Sequence, residues 1–117
     1  MSSSLIVIAG FSDDVALVRS RLPNVPGIVS VDENTDESQL ANVRIVVYLF
    51  SKDTGYSSQL LSRFTSIHFR TKPQEEYVMS IGDVDLAKRV FDALKSTPVI
   101  STEALAARLE DGSGDLG

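Results

Sequence analysis

The chain contains no cysteine and no tryptophan, and it has a single histidine, His68, among its 117 residues. The absence of cysteine excludes disulfide bonds, thiol nucleophiles and thiolate metal ligands, and it is compatible with a reducing compartment. No apolar run approaches the ~20 residues that a membrane-spanning helix needs, and the opening MSSS lacks the basic residues of a secretory signal. We therefore expect a cytoplasmic protein.

The charge balance is acidic, with 11 lysine and arginine residues against 16 aspartate and glutamate residues and a net charge of −5. Such a surface repels phosphate backbones and anionic lipids at long range, so nucleic acid and membrane are not expected as partners. A content of 43% apolar and 23% charged residues is typical of one soluble globular domain. We expect this domain to cover residues 1–110, followed at residues 111–117 by a flexible tail or the start of a linker.

Five apolar stretches have the pattern of strands. The first and third, LIVIA and RIVVYLF, are continuous and apolar, which is typical of strands in the interior of a parallel sheet. The fourth, SIHFRT, alternates apolar and polar residues, which predicts a strand with one wet face. Because the KPQEE segment after it is too short for a helical crossover, the last two strands are able to form an antiparallel hairpin. The predicted strands cover residues 5–9, 28–31, 44–50, 66–71 and 77–81.

Helices are predicted between and after the strands, and this alternation is typical of a single α/β sandwich of flavodoxin-like type with a five-stranded, mainly parallel sheet. The first helix covers residues 12–22, where Val15, Val18 and Leu22 recur at helical spacing. The others are a brief one at 38–42, a short one carrying Leu60, Leu61 and Phe64, one over residues 83–95, and one from a Ser101 cap through Leu109.

In element order, residues 4–95 resemble a receiver domain of the response-regulator type. The resemblance implies that an acidic pair directly after the first strand holds Mg²⁺ and that an aspartate ending the third strand accepts phosphate. In this sequence GFS separates the first strand from Asp13 and Asp14, and SK separates the third strand from Asp53. The positions that carry phosphorylation in a working receiver are therefore displaced here.

Two further receiver positions bear on the same point. Thr71 takes the place of the hydroxyl residue that follows the fourth strand, whereas Ile81 and Gly82 stand where a lysine would follow the fifth. The helix between the fourth and fifth strands is also missing from the predicted order. The chain thus resembles a degenerate, or pseudo-, receiver, which implies regulation by protein contact without catalysis, metal or cofactor.

The stretch LIVIAGFSDD nevertheless places carboxylates where open α/β folds bind ligands, outside the carboxyl ends of the strands. There, loop 10–14 would lie near loop 51–56, and Asp13, Asp14 and Asp53 could converge on Mg²⁺, which accepts carboxylate ligands. The other interpretation is a helix start, in which Ser12 or Asp13 caps the helix and Asp14 complements its positive end. The sequence favours the helix start.

Other motifs give little support to catalysis or to DNA binding. The two aspartates after Gly10 oppose a phosphate cradle, and no glycine-rich nucleotide motif is present. Ser57 and Ser58 belong to no nucleophile signature, and His68 alternates within a predicted strand, where a partly exposed structural residue is commoner than a base. Residues 86–110 resemble the first two helices of a helix-turn-helix, but no third helix follows to enter the major groove.

Charge is distributed in a way that favours oriented contacts with a partner protein. An acidic stretch and a segment richer in base predict two unlike faces, although two solvated surfaces explain the pattern equally well. The apolar pair Val99 and Ile100, with Leu105 and Leu109, can dock on its own sheet or on a neighbour. The acidic stretch contains Asp32, Glu33, Asp36 and Glu37, and the basic segment contains Arg63, Arg70, Lys72, Lys88 and Arg89.

The sequence therefore predicts a non-catalytic regulatory domain that binds a protein partner, within a larger protein or a homo-oligomer. The alternative is a Mg²⁺-dependent phosphoacceptor or phosphotransfer domain that uses Asp13, Asp14 and Asp53. A third hypothesis is a DNA-binding fragment with a truncated helix-turn-helix at residues 86–110.

Overall fold

A computed structural model describes residues 5–23, 25, 27–35, 40, 42–82 and 97–114 of the chain, with side chains described as far as Leu109. The helix predicted at residues 83–95 and most of the brief helix predicted at 38–42 lie outside these residues. Within the described ranges, no helix has both the length and the apolar character needed to cross a membrane.

The core of the fold is a four-stranded sheet in which every neighbouring pair is parallel, with the strand order β2-β1-β3-β4. The interior positions of the first and third predicted strands are confirmed, and both carry the continuous apolar sequence that burial on two faces requires. The strands are β1 (Leu5–Ala9), β2 (Ile28–Val31), β3 (Val43–Phe50) and β4 (Glu75–Ser80).

Three helices cover the two faces of the sheet, so the described residues form an α/β sandwich with three layers. They are α1 (Ser12–Ser20), α2 (Ser58–Thr71) and α3 (Thr102–Gly114). On one face α2 buries Leu60, Phe64 and Ile67 against the sheet. On the other face lie α1, through Val15 and Val18, and α3, through Leu105 and Leu109.

The strand predicted at residues 66–71 is wrong, because this segment is the second half of α2. Leu60, Phe64 and Ile67 recur at the spacing of one helix face and are fully buried, whereas Phe69 is 62% exposed. The Ser57 side chain caps the helix by accepting a hydrogen bond from the Leu60 N–H at 3.2 Å. Since α2 is itself the crossover from β3 to the parallel strand β4, the predicted hairpin is also wrong.

Within the described ranges the prediction of five strands is corrected to four, and the stretch predicted as the fifth strand is β4. Beside β4 the fifth place in the sheet is held by a single parallel bridge between Val78 and Val99. The Val78 N–H donates to the Pro98 carbonyl and the Val78 carbonyl accepts from the Ile100 N–H, each at 2.9 Å. The resulting arrangement is compatible with a flavodoxin-like order of elements.

The last helix begins where the sequence predicts, because the Ser101 hydroxyl accepts a hydrogen bond from the Ala104 N–H at 3.1 Å. It runs past the predicted end at Leu109 and covers the first four residues of the predicted tail. Leu105 and Leu109 are buried on this chain's own sheet, as expected of a covering helix. The first helix of the predicted helix-turn-helix lies in the part of the chain that is not described.

Candidate functional site at the carboxyl edge of the sheet

The loops that follow β1, β2 and β3 meet at the carboxyl edge of the sheet because these strands are parallel. They enclose a shallow groove of about 310 Å³. The structure thus brings together the three aspartates singled out from the sequence and adds a glutamate from the β2 loop. The groove is lined by Phe11, Ser12, Asp13, Asp14, Glu33, Ser51 and Asp53.

Gly10 sets the point at which the chain leaves the sheet. Its N–H donates to the Val31 carbonyl at 3.0 Å, which continues the β1–β2 pairing by one residue. A Cβ atom at this position would lie 2.7 Å from Leu49 Cβ, so only glycine allows so close an approach to β3. The chain turns outward only after this contact, and the carboxylates therefore fall on α1 instead of at the end of β1.

The start of α1 corrects the predicted cap. Phe11 occupies the N-cap position, no side chain caps the helix, and Ser12 and Asp13 already belong to its first turn. The prediction that Ser12 or Asp13 caps this helix is wrong, because each lies too far into the helix to reach back to the free N–H groups as an N-cap residue does. Asp13 and Asp14 still lie near the positive end of the helix dipole, which stabilises their negative charge.

The loop between β3 and α2 is held by contacts between two of its own residues, Ser51 and Thr54. The Ser51 N–H donates to Thr54 Oγ1 at 2.7 Å, the two hydroxyl oxygens lie 3.2 Å apart, and Thr54 is fully buried. Residues Thr54–Tyr56 then form a short 3₁₀ helix. Asp53 is exposed at the groove, and Tyr56 projects from the same loop with 90% of its surface exposed.

The β2 loop is held by Asp32, whose Oδ1 atom accepts from the Asn34 N–H at 2.8 Å and from the Thr35 hydroxyl at 2.9 Å. The Asn34 N–H, and after it the Thr35 hydroxyl, lower the pKa of Asp32 below its ordinary value, and the positive charge of Arg63 adds to this effect. Arg63 of the predicted basic segment is therefore close enough to Asp32 of the acidic stretch to influence its charge.

Glu33 is the groove residue that the sequence did not single out for chemistry. Its backbone carbonyl accepts from Gln59 Nε2 at 2.6 Å, which fastens the β2 loop to α2. Its Oε2 atom is shielded from solvent and has no hydrogen-bond partner among the described residues. One sequence feature pointed to its place in the groove: Glu33 follows β2, whose carboxyl end lies at the same edge of the sheet as that of β1.

The carboxylates of the groove do not converge on one point. Among the residues that the structure describes, no three histidine, aspartate or glutamate side chains are close enough together to hold a metal ion. Asp13, Asp14, Glu33 and Asp53 instead line the groove as separate negative groups, which makes it attractive to positively charged ligands.

His68 lies on α2, not on a strand, and is part of a cluster separate from the groove. Its Nδ1 atom lies 2.7 Å from Glu76 Oε2, and the same oxygen accepts from the hydroxyl of the buried Tyr48 at 2.6 Å. Burial, and after it the hydrogen bond to Glu76, raises the pKa of the Tyr48 hydroxyl. The cluster fastens α2 to β4, which explains His68 without a catalytic role.

Thr71 does not hold the receiver position that the resemblance implied. It is the last residue of α2, and its hydroxyl donates to the Ile67 carbonyl at 2.6 Å. The segment directly before Thr71 is helical and not a strand, because residues 66–71 belong to α2.

The fold and the groove define a parallel α/β sandwich with an acidic carboxyl edge. The chain matches no family model, no curated protein and no solved structure.

Proposed function

We propose that this chain is a non-catalytic, cytoplasmic regulatory domain, receiver-like in the order of its elements, that binds a protein partner at the carboxyl edge of its sheet. The observation that carries the proposal is the loop between β3 and α2. In this loop the N–H and hydroxyl of Ser51 contact Thr54 Oγ1, and the same loop carries Asp53, which lines the acidic groove, and the exposed side chain of Tyr56.

The residue that follows β3 is the first support. A phosphoacceptor of the receiver kind needs a carboxylate at the end of that strand, and this chain has Ser51 there, with its N–H and hydroxyl both engaged by Thr54. With the strands as observed, Ile100 and Ser101 follow the bridge at Val99, and no lysine occurs there. These residues suit a domain that has the receiver order without receiver chemistry.

The second support is the chemistry of the exposed surface. Tyrosine is enriched in protein interfaces because it offers a large apolar ring with a polar tip at a small cost in side-chain entropy. The groove that Asp53 of the same loop lines carries four carboxylates, and Lys52 is the basic residue of this loop. A basic segment of a partner protein, with an apolar side chain to contact the tyrosine ring, matches this surface.

The second candidate is a Mg²⁺-dependent phosphoacceptor or phosphotransfer domain. It is favoured by the shared groove of Asp13, Asp14 and Asp53, and by the shielded Oε2 atom of Glu33, which accepts no hydrogen bond from any residue that the structure describes. Mg²⁺ usually takes only one or two protein carboxylates and keeps several waters, so widely spaced carboxylates do not by themselves exclude it.

Backbone amide NMR on the labelled chain separates the two candidates. We expect that Mg²⁺, followed by beryllofluoride as a phosphoryl mimic, leaves the amides of residues 10–14 and 51–54 unshifted. A lysine-rich peptide should shift residues 11–14 and 51–56, and it should shift them less in the Tyr56→Ala variant.

The opposite pattern would overturn the proposal. Saturable shifts with Mg²⁺ and beryllofluoride at residues 10–14 and 51–54 would establish the phosphoacceptor candidate, provided that Asp53→Asn removes them. A peptide response that is unchanged by Tyr56→Ala, or confined to other parts of the chain, would remove the carboxyl edge as the binding surface.

A further inference from the structure

A second groove, of about 550 Å³, opens between the C-terminal end of α1 and α3 and shares no lining residue with the acidic groove. Both helices pack on the same face of the sheet, where Val18 and Leu105 belong to one buried cluster. Leu17 of α1, four residues before the C-cap residue Arg21, is 41% exposed. The groove is lined by Arg21, Thr102, Glu103, Ala106 and Ala107.

The groove contains one positive and one negative side chain that do not neutralise each other. Arg21 and Glu103 are both exposed, and neither makes an ion pair or a side-chain hydrogen bond with any residue in the described ranges. Ala106 and Ala107 add only methyl groups, so the groove stays open between the two charges. A partner that fits it must therefore offer charges of both signs.

We propose that the occupant of this groove is a second copy of this chain, related to the first by a two-fold axis. In a two-fold dimer the same patch is used on both subunits, so residue i contacts residue j and residue j contacts residue i. Arg21 of each copy then pairs with Glu103 of the other, and the two exposed Leu17 side chains are covered by the contact.

A second copy fits this charge pattern better than a partner of one sign. A basic or an acidic segment would satisfy one of the two charges and oppose the other, because Arg21 and Glu103 line the same groove. A second copy satisfies both with the residues already present. This surface is distinct from the carboxyl edge, so the dimer is independent of the proposed function of that edge.

Analytical ultracentrifugation of the full chain, together with two charge-reversed variants, tests the dimer. We expect a monomer–dimer equilibrium in the wild-type chain. Arg21→Glu and Glu103→Arg should each weaken dimerisation at least about tenfold, because each variant places like charges together twice. An equimolar mixture of the two variants should recover the wild-type affinity, since the mixed dimer places both carboxylates of one variant against both guanidinium groups of the other.

The controls separate the contact from folding and from net charge. Arg70→Glu changes the net charge by the same amount as Arg21→Glu, but on α2 on the other face of the sheet, and it should leave dimerisation unchanged. Circular dichroism establishes that each variant is folded. A wild-type chain that stays monomeric at all concentrations would overturn the proposal, as would a dimer unaffected by both reversals or a mixture that fails to associate.

Discussion

At the scale of single residues, Gly10 has the clearest physical requirement. It lies between the paired end of β1 and the start of α1, and the side chain of Leu49 fills the space that a Cβ atom would need. Leu49 is fully buried and belongs to the cluster under α1 and α3, so it has little freedom to move away. The direction in which the chain leaves the sheet toward the acidic groove depends on this contact.

The Gly10→Ala substitution should therefore lower the free energy of unfolding by about 1–3 kcal/mol, the usual cost of overpacking a buried site. Urea denaturation followed by circular dichroism measures the change. The matched control is Ser12→Ala, two residues later, where the side chain is exposed and caps nothing, and we expect a change within about 0.5 kcal/mol. Equal effects at the two positions would contradict the close approach at Gly10.

At the scale of secondary-structure elements, the three described helices differ in the residue that precedes them. Two follow a serine that caps the helix, and one follows a phenylalanine. Ser57 caps α2 and Ser101 caps α3, each through its hydroxyl oxygen. Phe11 precedes α1, and its partly buried side chain packs against the hydrophobic core instead of binding an N–H group. The stabilities of the helix starts should differ accordingly.

We expect Ser57→Ala and Ser101→Ala each to cost about 1 kcal/mol of stability, because a free N–H group of the first turn loses its acceptor. Ser58→Ala, at the exposed position next to Ser57, should cost much less. Thermal or urea unfolding of the three variants measures these differences. A cost at Ser58 as large as that at Ser57 would show that α2 is not capped as described.

The elements differ in how far the sequence could predict them. β1 and β3 could be predicted because continuous apolar runs of this length rarely serve anything except buried strands. The second half of α2 could not, because Ile67, His68 and Phe69 alternate in polarity over too few residues to separate a strand from a helix. The spacing of Leu60, Phe64 and Ile67 indicates one continuous helix, but only if the stretch predicted as a helix and the stretch predicted as a strand are considered together.

The candidate site could likewise be predicted from the sequence only in part. The meeting of Asp13, Asp14 and Asp53 in one groove follows from parallel strands, since their carboxyl ends share one edge. The cap at Phe11 depends on a one-residue difference in where the helix begins, which side-chain pattern does not determine. Glu33 joined the groove through the geometry of the β2 loop, which no motif records.

At the scale of the whole molecule, two adjacent residues of β4, Glu75 and Glu76, bind helices on opposite faces of the sheet. Successive side chains of a strand point to opposite faces of its sheet, and Glu75 and Glu76 follow this rule. Glu75 binds Arg108 of α3, with the arginine Nε atom 3.0 Å from Glu75 Oε1, whereas Glu76 binds His68 of α2. One edge strand thus connects both layers to the sheet through carboxylates.

This arrangement predicts that stability falls in acid. The hydrogen bond from Arg108, and after it that from the Tyr77 hydroxyl, lowers the pKa of Glu75 below its ordinary value of 4.5. A carboxyl group whose pKa is lower in the folded state stabilises the protein fully above the unfolded pKa, and this contribution is lost as the pH falls through the folded pKa. Urea midpoints should therefore decrease below about pH 4.5.

The Glu75→Gln variant should be less stable than the wild type at pH 7 and should lose less stability on acidification. Asp53→Asn is the matched control, because Asp53 is exposed and its side chain has no hydrogen-bond or ion-pair partner among the described residues. We expect its acid dependence to follow that of the wild type. Parallel pH curves for wild type and Glu75→Gln would contradict a stabilising role for the Glu75–Arg108 pair.

The strand order also has a consequence for how the chain reaches its native state. β1 precedes the other three described strands in the chain, yet it lies between β2 and β3 and pairs with both. Both pairings of β1 are parallel, so a local hairpin cannot form them. β1 is paired on both edges only after the chain has been synthesised through β3 and the residues between these strands have folded back. A nascent chain that ends before β3 exposes the apolar LIVIA strand with one open edge, and an unpaired apolar edge of this kind favours aggregation until β3 covers it.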